Sequence, residues 1–331
     1  MKTYLLTLLV LSAGSLYAQT PAPAKSPLDP VITKFNSAAA KVNAGDFNTA
    51  IAEFEEVLTM ADAIGPTAND LKSKAQAQLP ILQYQMGSNM AKQKKYEEAI
   101  QYLEKSIELA DTYSNNPAIK EKALKTLPNL LLATGNQKYK EQKYDEALKY
   151  LQDALKYSPD NVRAYLAIGH VYADKNDEEK MITNLQKAIE LATAASDVKT
   201  AEIAQKKLSS YYINIGNNDL AEVEAENPDF SFAIKDYEKA ISYDPKATDA
   251  YYTLAVIYNK KMEFDKAVQN GLKALENETV DVKIAAINYE LGVAYINTAE
   301  YPKACDALNK AMVGPIAEKA QARKAKVPNC N

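Results

Sequence analysis

Apolar residues recur along this chain at three- and four-residue intervals, the spacing of helices with one buried face, and nowhere in the strict alternation of a half-buried strand. The stretch from Gly135 to Pro159 shows the unit most clearly. Tyr144, Ala147, Leu148, Leu151 and Ala154 form one stripe of a helix over 144–157, with polar residues between them. The alanines let a partner helix approach, and the larger side chains fill the space around them. Pro159 stops the helix, because it lacks an N–H and biases Ser158 away from helical angles. A second amphipathic segment, carrying Gly135 and ending near Gln142, precedes it. The two are predicted to form an antiparallel helix pair.

The same small, aromatic and leucine positions return six more times. The position of Ala147 is matched by Ala50, Ala99, Met181, Ala233, Ala267 and Ala304. Three residues before each anchor stand Phe47, Tyr96, Tyr144, Glu178, Phe230, Phe264 and Tyr301, so only the fourth repeat lacks an aromatic there. The residue after each anchor is Ile51, Ile100, Leu148, Ile182, Ile234, Val268 or Cys305, an apolar slot filled by a cysteine in the last repeat. Ala38, Gly87, Gly135, Gly169, Gly216, Ala255 and Gly292 are the small residues of the first helices. These positions resemble the tetratricopeptide repeat, a 34-residue helix-turn-helix unit with a small residue in its first helix and aromatic-x-x-Ala opening its second. The resemblance implies an all-α fold, a right-handed superhelical solenoid of about seven repeats over residues 31–314.

The repeats are not uniform. Successive anchors lie 49, 48, 34, 52, 34 and 37 residues apart. The excess falls between a second helix and the next first helix, about fourteen residues at each of three junctions, before Gly87, Gly135 and Gly216. Both arms are expected to share it, each gaining about seven residues, or roughly 10 Å. Pro80 and Pro128, seven residues before their glycines, are expected to kink their helices. A further insertion, 217–229, carries Asp219, Glu222, Glu224, Glu226 and Asp229. It lacks the alternating oxygen ligands and glycine of a calcium loop and is expected to be a solvated, lengthened helix end.

The ends read differently. Residues 1–18, with Lys2, an apolar run from Tyr4 to Leu16 and a closing Ala18, have the form of a secretory signal peptide. They imply export to the periplasm or, alternatively, secretion. Residues 19–30 hold Pro21, Pro23, Pro27 and Pro30 and are expected to be an extended tether. Residues 315–331 are expected to form a short basic capping helix, Ile316 to Lys326, and a tail. The mature chain shows no membrane span. A formal charge of -4 argues against nucleic acid as a partner.

Candidate chemistry is sparse. Cys305 and Cys330 are the only thiols. In an oxidising compartment a disulfide between them would pin the cap; the alternative is one buried and one exposed free thiol. His170 is the only histidine, which excludes multi-histidine metal sites. No phosphate loop or catalytic constellation is present, so neither an enzyme, a metal nor a cofactor is expected. The family resemblance implies that binding uses the groove lined by first helices. By register that groove holds Tyr84, Ser88, Asn136, Tyr139, Arg163, His170, Asn217, Tyr252, Asn259 and Tyr289, with Phe35, Ile213 and Ile296. Tyrosines offer large contact area with a polar tip, which suits a peptide or partner helix. The same tyrosines also suit packing between adjacent repeats. A clamp for a terminal carboxylate is excluded, because Phe35, Tyr84 and Leu132 occupy its lysine position. The expected function is a non-enzymatic protein-interaction scaffold of the bacterial cell envelope, binding a protein or peptide partner, and a homo-oligomer is compatible with it. The alternative is a glycan-binding or nutrient-uptake accessory protein, disfavoured by the absence of tryptophan.

Overall fold

A computed structural model describes residues 26–224, 226 and 228–330. The signal segment and most of the tether lie outside them. Fifteen α-helices occur among the described residues, with no strand. In chain order they are α1 (Asp29–Asn43), α2 (Phe47–Ile64), α3 (Asn69–Lys92), α4 (Tyr96–Thr112), α5 (Pro117–Lys140), α6 (Tyr144–Tyr157), α7 (Val162–Asp174), α8 (Glu178–Ala194), α9 (Val198–Ala221), α10 (Ser231–Tyr243), α11 (Thr248–Lys260), α12 (Phe264–Leu275), α13 (Asp281–Asn297), α14 (Tyr301–Lys310) and α15 (Ala317–Lys324). The chain divides between Leu127 and Pro128 into two compact units, with the boundary inside α5.

Each repeat is built around one contact. The anchors Ala50, Ala99, Ala147, Met181, Ala233, Ala267 and Ala304 are all buried. Four residues after them come Phe54, Leu103, Leu151, Leu185, Tyr237, Gly271 and Leu308. In six repeats this side chain is a buried knob, and in five of them it presses on the glycine of the first helix. A β-carbon on Gly87, Gly135, Gly169 or Gly292 would lie 2.9, 2.7, 2.7 or 2.6 Å from the opposing leucine, closer than real β-carbons come. The sixth repeat reverses the arrangement at this position. There the second helix holds Gly271, and Leu291 from the next repeat's first helix fills the space, 2.7 Å from where a Gly271 β-carbon would stand.

The turn from first to second helix is equally regular. Seven residues beyond the small residue, the backbone is left-handed at Gly45, Lys94, Gln142, Asn176, Met262 and Ala299. The next N–H then reaches back five residues, as in Asp177 to the Tyr172 carbonyl at 3.0 Å and Glu300 to that of Tyr295 at 2.8 Å. This closes the carbonyls left open at a helix end. Asp46, Asn161, Asp177 and Asp197 cap the following helices by accepting a backbone N–H at 3.1–3.3 Å.

The lengthened junctions divide their extra residues unequally, contrary to expectation. α3, α5 and α9 each have 24 residues against 13 in α7 and α11, a gain of 11. α2, α4 and α8 have 18, 17 and 17 residues against 14 and 13 in α6 and α10. Eleven residues are close to three full turns, about 16 Å, so the added segment keeps its apolar face on the same side as the original one.

Pro80 and Pro128 both lie inside uninterrupted helices. Around Pro80 in the first unit, buried Ser106 donates its hydroxyl to the Pro80 carbonyl at 2.8 Å, and the Asn116 amide donates to the Ala77 carbonyl at 2.7 Å. These side chains serve carbonyls close to the helical bond that the proline removes.

Three boundaries differ from the sequence expectation. α1 begins at Asp29, inside the segment assigned to the tether, because Pro30 fits the first helical turn, where no N–H is needed. The 217–229 insertion is not a lengthened helix end. α9 stops at Ala221, five residues past Gly216, as α7 stops five past Gly169, so the added residues lie in the connection. The capping helix is shorter than expected, Ala317–Lys324, and follows a 3-10 turn at Gly314–Ile316. A disulfide joins Cys305 on α14 to Cys330, with Cα atoms 5.6 Å apart, and the segment it closes buries Ala320 and Val327 against the last repeat.

Candidate functional site

The register that makes the small residue face the second helix turns other first-helix positions toward solvent. Most of the predicted groove side chains are accordingly half-buried: Tyr84 and Ser88 in the first unit, and Asn136, Tyr139, His170, Tyr252, Asn259 and Tyr289 in the second. Arg163 and Asn217 are exposed. Phe35 stacks edge-on to Phe54, with ring centres 5.3 Å apart, so in the first repeat this position serves the core.

Two local networks gather most of the second unit's residues. In the first, the Tyr139 hydroxyl donates to Asp174 at 2.7 Å. Burial and this carboxylate together push the tyrosine up to about 12. Asp174 also acts on His170, but burial and the Lys207 ammonium outweigh it and hold the imidazole below its ordinary value. His170 is therefore biased toward the neutral form, which offers one donor and one acceptor. Asp197, the N-cap of α9, is held below its usual carboxylate value mainly by its hydrogen bonds from Thr200, with a smaller contribution from the charge of Arg163.

The second network joins Asn259, Tyr252, Glu290, Tyr289 and Arg323. The Asn259 amide donates to the Glu290 backbone carbonyl at 3.0 Å and to its carboxylate at 2.8 Å. Burial raises Glu290 above the usual carboxylate range, against the opposing effects of Asn259, Arg323 and Lys260. Burial likewise raises Tyr252, with Glu290 adding to it. Arg323, on the capping helix, lies over the Tyr289 ring at 5.9 Å and donates to its hydroxyl at 3.4 Å. Asn217 stands apart from both networks and accepts from the buried Tyr237 hydroxyl at 2.6 Å.

Asp174, Lys207, Glu290 and Arg323 were not anticipated. Glu290 directly follows the predicted Tyr289, and Asp174 lies one helical turn past the predicted His170, so both share a helix with a position already singled out. Arg323 carried no signal, since its place depends on how the cap folds back. Among the described residues no group of three His, Cys, Asp or Glu is placed to hold a metal ion. None of the described helices is long and apolar enough to cross a membrane. What the surface offers is tyrosine rings, amides and paired charges, suited to binding.

Comparison with known proteins bears on the repeat. A TPR repeat model matches residues 135–176, a tetratricopeptide repeat model matches 236–269, and another matches 82–113 and 162–194. The Hsp70-Hsp90 organising protein of Plasmodium falciparum (isolate 3D7) is 32% identical over 88 residues, which are 25% of this chain and 16% of that protein. Among solved structures, the TPR2AB domain of yeast Sti1 in complex with pHSP90 is 19% identical, covering 74% of this chain and 97% of that one, with a TM-score of 0.31. MamA from Desulfovibrio magneticus RS-1 is 18% identical, covering 59% and 96%, with a TM-score of 0.34. The matched segments fall on small residues and anchors already described, and they mark these stretches of the all-α chain as tetratricopeptide repeats.

Proposed function

We propose that the chain is a non-enzymatic protein-interaction scaffold of the bacterial cell envelope, which holds a peptide or partner helix against the exposed faces of its first helices. Tetratricopeptide repeats are protein-interaction modules, and the matched relative is named for organising two proteins, Hsp70 and Hsp90. The observation that carries the reading is the series of half-exposed tyrosine, amide and imidazole side chains at fixed first-helix positions. Such groups combine apolar area with hydrogen-bonding tips at small entropic cost. Phe35, Tyr84 and Leu132 stand where a terminal-carboxylate clamp would need lysine, so the partner is held by an internal segment. The envelope assignment rests on the sequence of residues 1–18 and on the Cys305–Cys330 bond, which belongs to an oxidising compartment.

Crosslinking the full chain in intact cells, followed by mass spectrometry, identifies what it holds. Replacing Tyr84 in the first unit, or Tyr252 and Tyr289 in the second, with alanine is expected to weaken that capture. Undiminished capture by all three variants would exclude the first-helix faces. Fractionation and N-terminal sequencing test the envelope assignment; an intact Met1 in the cytoplasm would overturn it.

A further inference from the structure

The fourth repeat departs from the others at the residues that open its second helix. Glu178 replaces the aromatic found in the other six repeats, and Met181 replaces the anchor alanine. A cavity of about 210 Å³ opens at this place, lined among others by Tyr172, Ala173, Glu178, Met181, Tyr211 and Asn214. For scale, a cavity of about 150 Å³ accepts a benzene molecule.

The third repeat explains what is missing. Ala173 lies four residues past its small residue, and Glu178 three before its anchor. At the same two positions the third repeat carries Tyr139 and Tyr144, whose ring centres are 6.1 Å apart. The fourth repeat has given up both rings. Met181 forms an apolar part of the wall and is itself buried, while Tyr211 and Glu178 both line the cavity, and burial together with the nearby Glu178 carboxylate pushes the Tyr211 hydroxyl up. A carboxylate offers two oxygens that can accept several hydrogen bonds. Lys180 already covers the Tyr172 ring at 5.2 Å, and Lys207 also lines the cavity. Both cations disfavour a positively charged occupant.

We propose that this cavity receives an aromatic side chain from a bound peptide, phenylalanine or, with its hydroxyl directed to Glu178, tyrosine. The partner supplies in trans a ring that the other repeats supply themselves. The inference deepens the peptide-binding reading above and names its anchor residue.

The test needs no identified partner. The full chain, labelled at its methionine methyl groups, is titrated with the N-acetyl amides of tyrosine, phenylalanine, leucine and lysine, and the Met181 signal is assigned by its loss in Met181→Leu. The tyrosine and phenylalanine amides are expected to shift the Met181 methyl saturably, and the leucine and lysine amides to bind at least about tenfold more weakly. Refilling the cavity with Ala173→Tyr and Glu178→Tyr should abolish the shift at unchanged helicity. Glu178→Gln, which leaves the cavity open, should weaken the tyrosine amide more than the phenylalanine amide. An unmoved Met181 signal, or equal shifts from all four amides, would overturn the proposal. Capture of a partner that is lost on Tyr252 and Tyr289 substitution, together with a silent Met181, would reject the pocket and keep the scaffold. The reverse pair of results would do the opposite.

Discussion

The fourth and fifth repeats stand next to each other and solve the same packing problem differently. The fourth has a 13-residue first helix, 12 residues from Gly169 to its anchor, a left-handed turn at Asn176 and a leucine knob. The fifth has a 24-residue first helix, 17 residues from Gly216 to Ala233, no left-handed residue at Val223, the corresponding position, and a tyrosine knob whose hydroxyl is bonded to Asn217. What stays constant is the glycine facing the knob. Length and turn chemistry are free to vary as long as that contact is kept, and where the short turn is lost the knob is larger and carries a hydrogen bond.

The comparison is broken most severely at the knobs. Tyr237→Ala removes a fully buried ring and leaves Asn217 without that donor; the expected loss is about 3–5 kcal/mol in denaturant unfolding, at or above that of Leu185→Ala. If Leu185 costs clearly more, the tyrosine does not replace the missing turn.

A gentler test adds one carbon to each glycine. At Gly169 the new β-carbon would meet Leu185 at 2.7 Å, whereas at Gly216 it would meet the flat Tyr237 ring at 3.1 Å. Alanine gains about 1 kcal/mol of helix propensity over glycine. Against that, overpacking costs about 1–3 kcal/mol. Gly169→Ala should therefore lower the thermal midpoint, and Gly216→Ala should leave it close to unchanged.

At the turns, Asn176→Ala is expected to cost about 1 kcal/mol, because alanine tolerates the left-handed region less well. Met262→Gly, at the same register with φ of 62°, should gain a similar amount, read as a rise in melting temperature.

The smallest effect is electrostatic. His170 is held below its ordinary pKa by burial and Lys207, so the unfolded chain binds the proton more readily. Its contribution to stability is complete above the unfolded pKa and is lost as pH falls through the folded one. Wild type should lose more stability than His170→Asn between about pH 7.5 and 5.5.

Much of this was legible from one chain. The anchors recur and are buried because an alanine between helices leaves a periodic trace in the sequence. The unequal division of the added length was harder to read, since spacing counts residues between landmarks without saying where the helix turns. Gly271 hid for a related reason: its filling side chain, Leu291, comes from the next repeat. The half-buried networks of His170 and Glu290 depend on neighbours brought from separate helices, and Arg323 on the path of the cap. Glu178 was visible as an exception, but the cavity it leaves was not.

The Cys305–Cys330 bond gives the second unit a direction. A repeat array opens from its ends, where each unit has one neighbour to hold it. A crosslink closing 25 residues restrains the unfolded chain by about 3 kcal/mol, all of it at the C-terminal end. Fraying then starts at the unlatched end and runs toward the bond, and reduction evens the two. Hydrogen exchange would record this as α14 outlasting α6 in the oxidised protein and losing that lead when reduced.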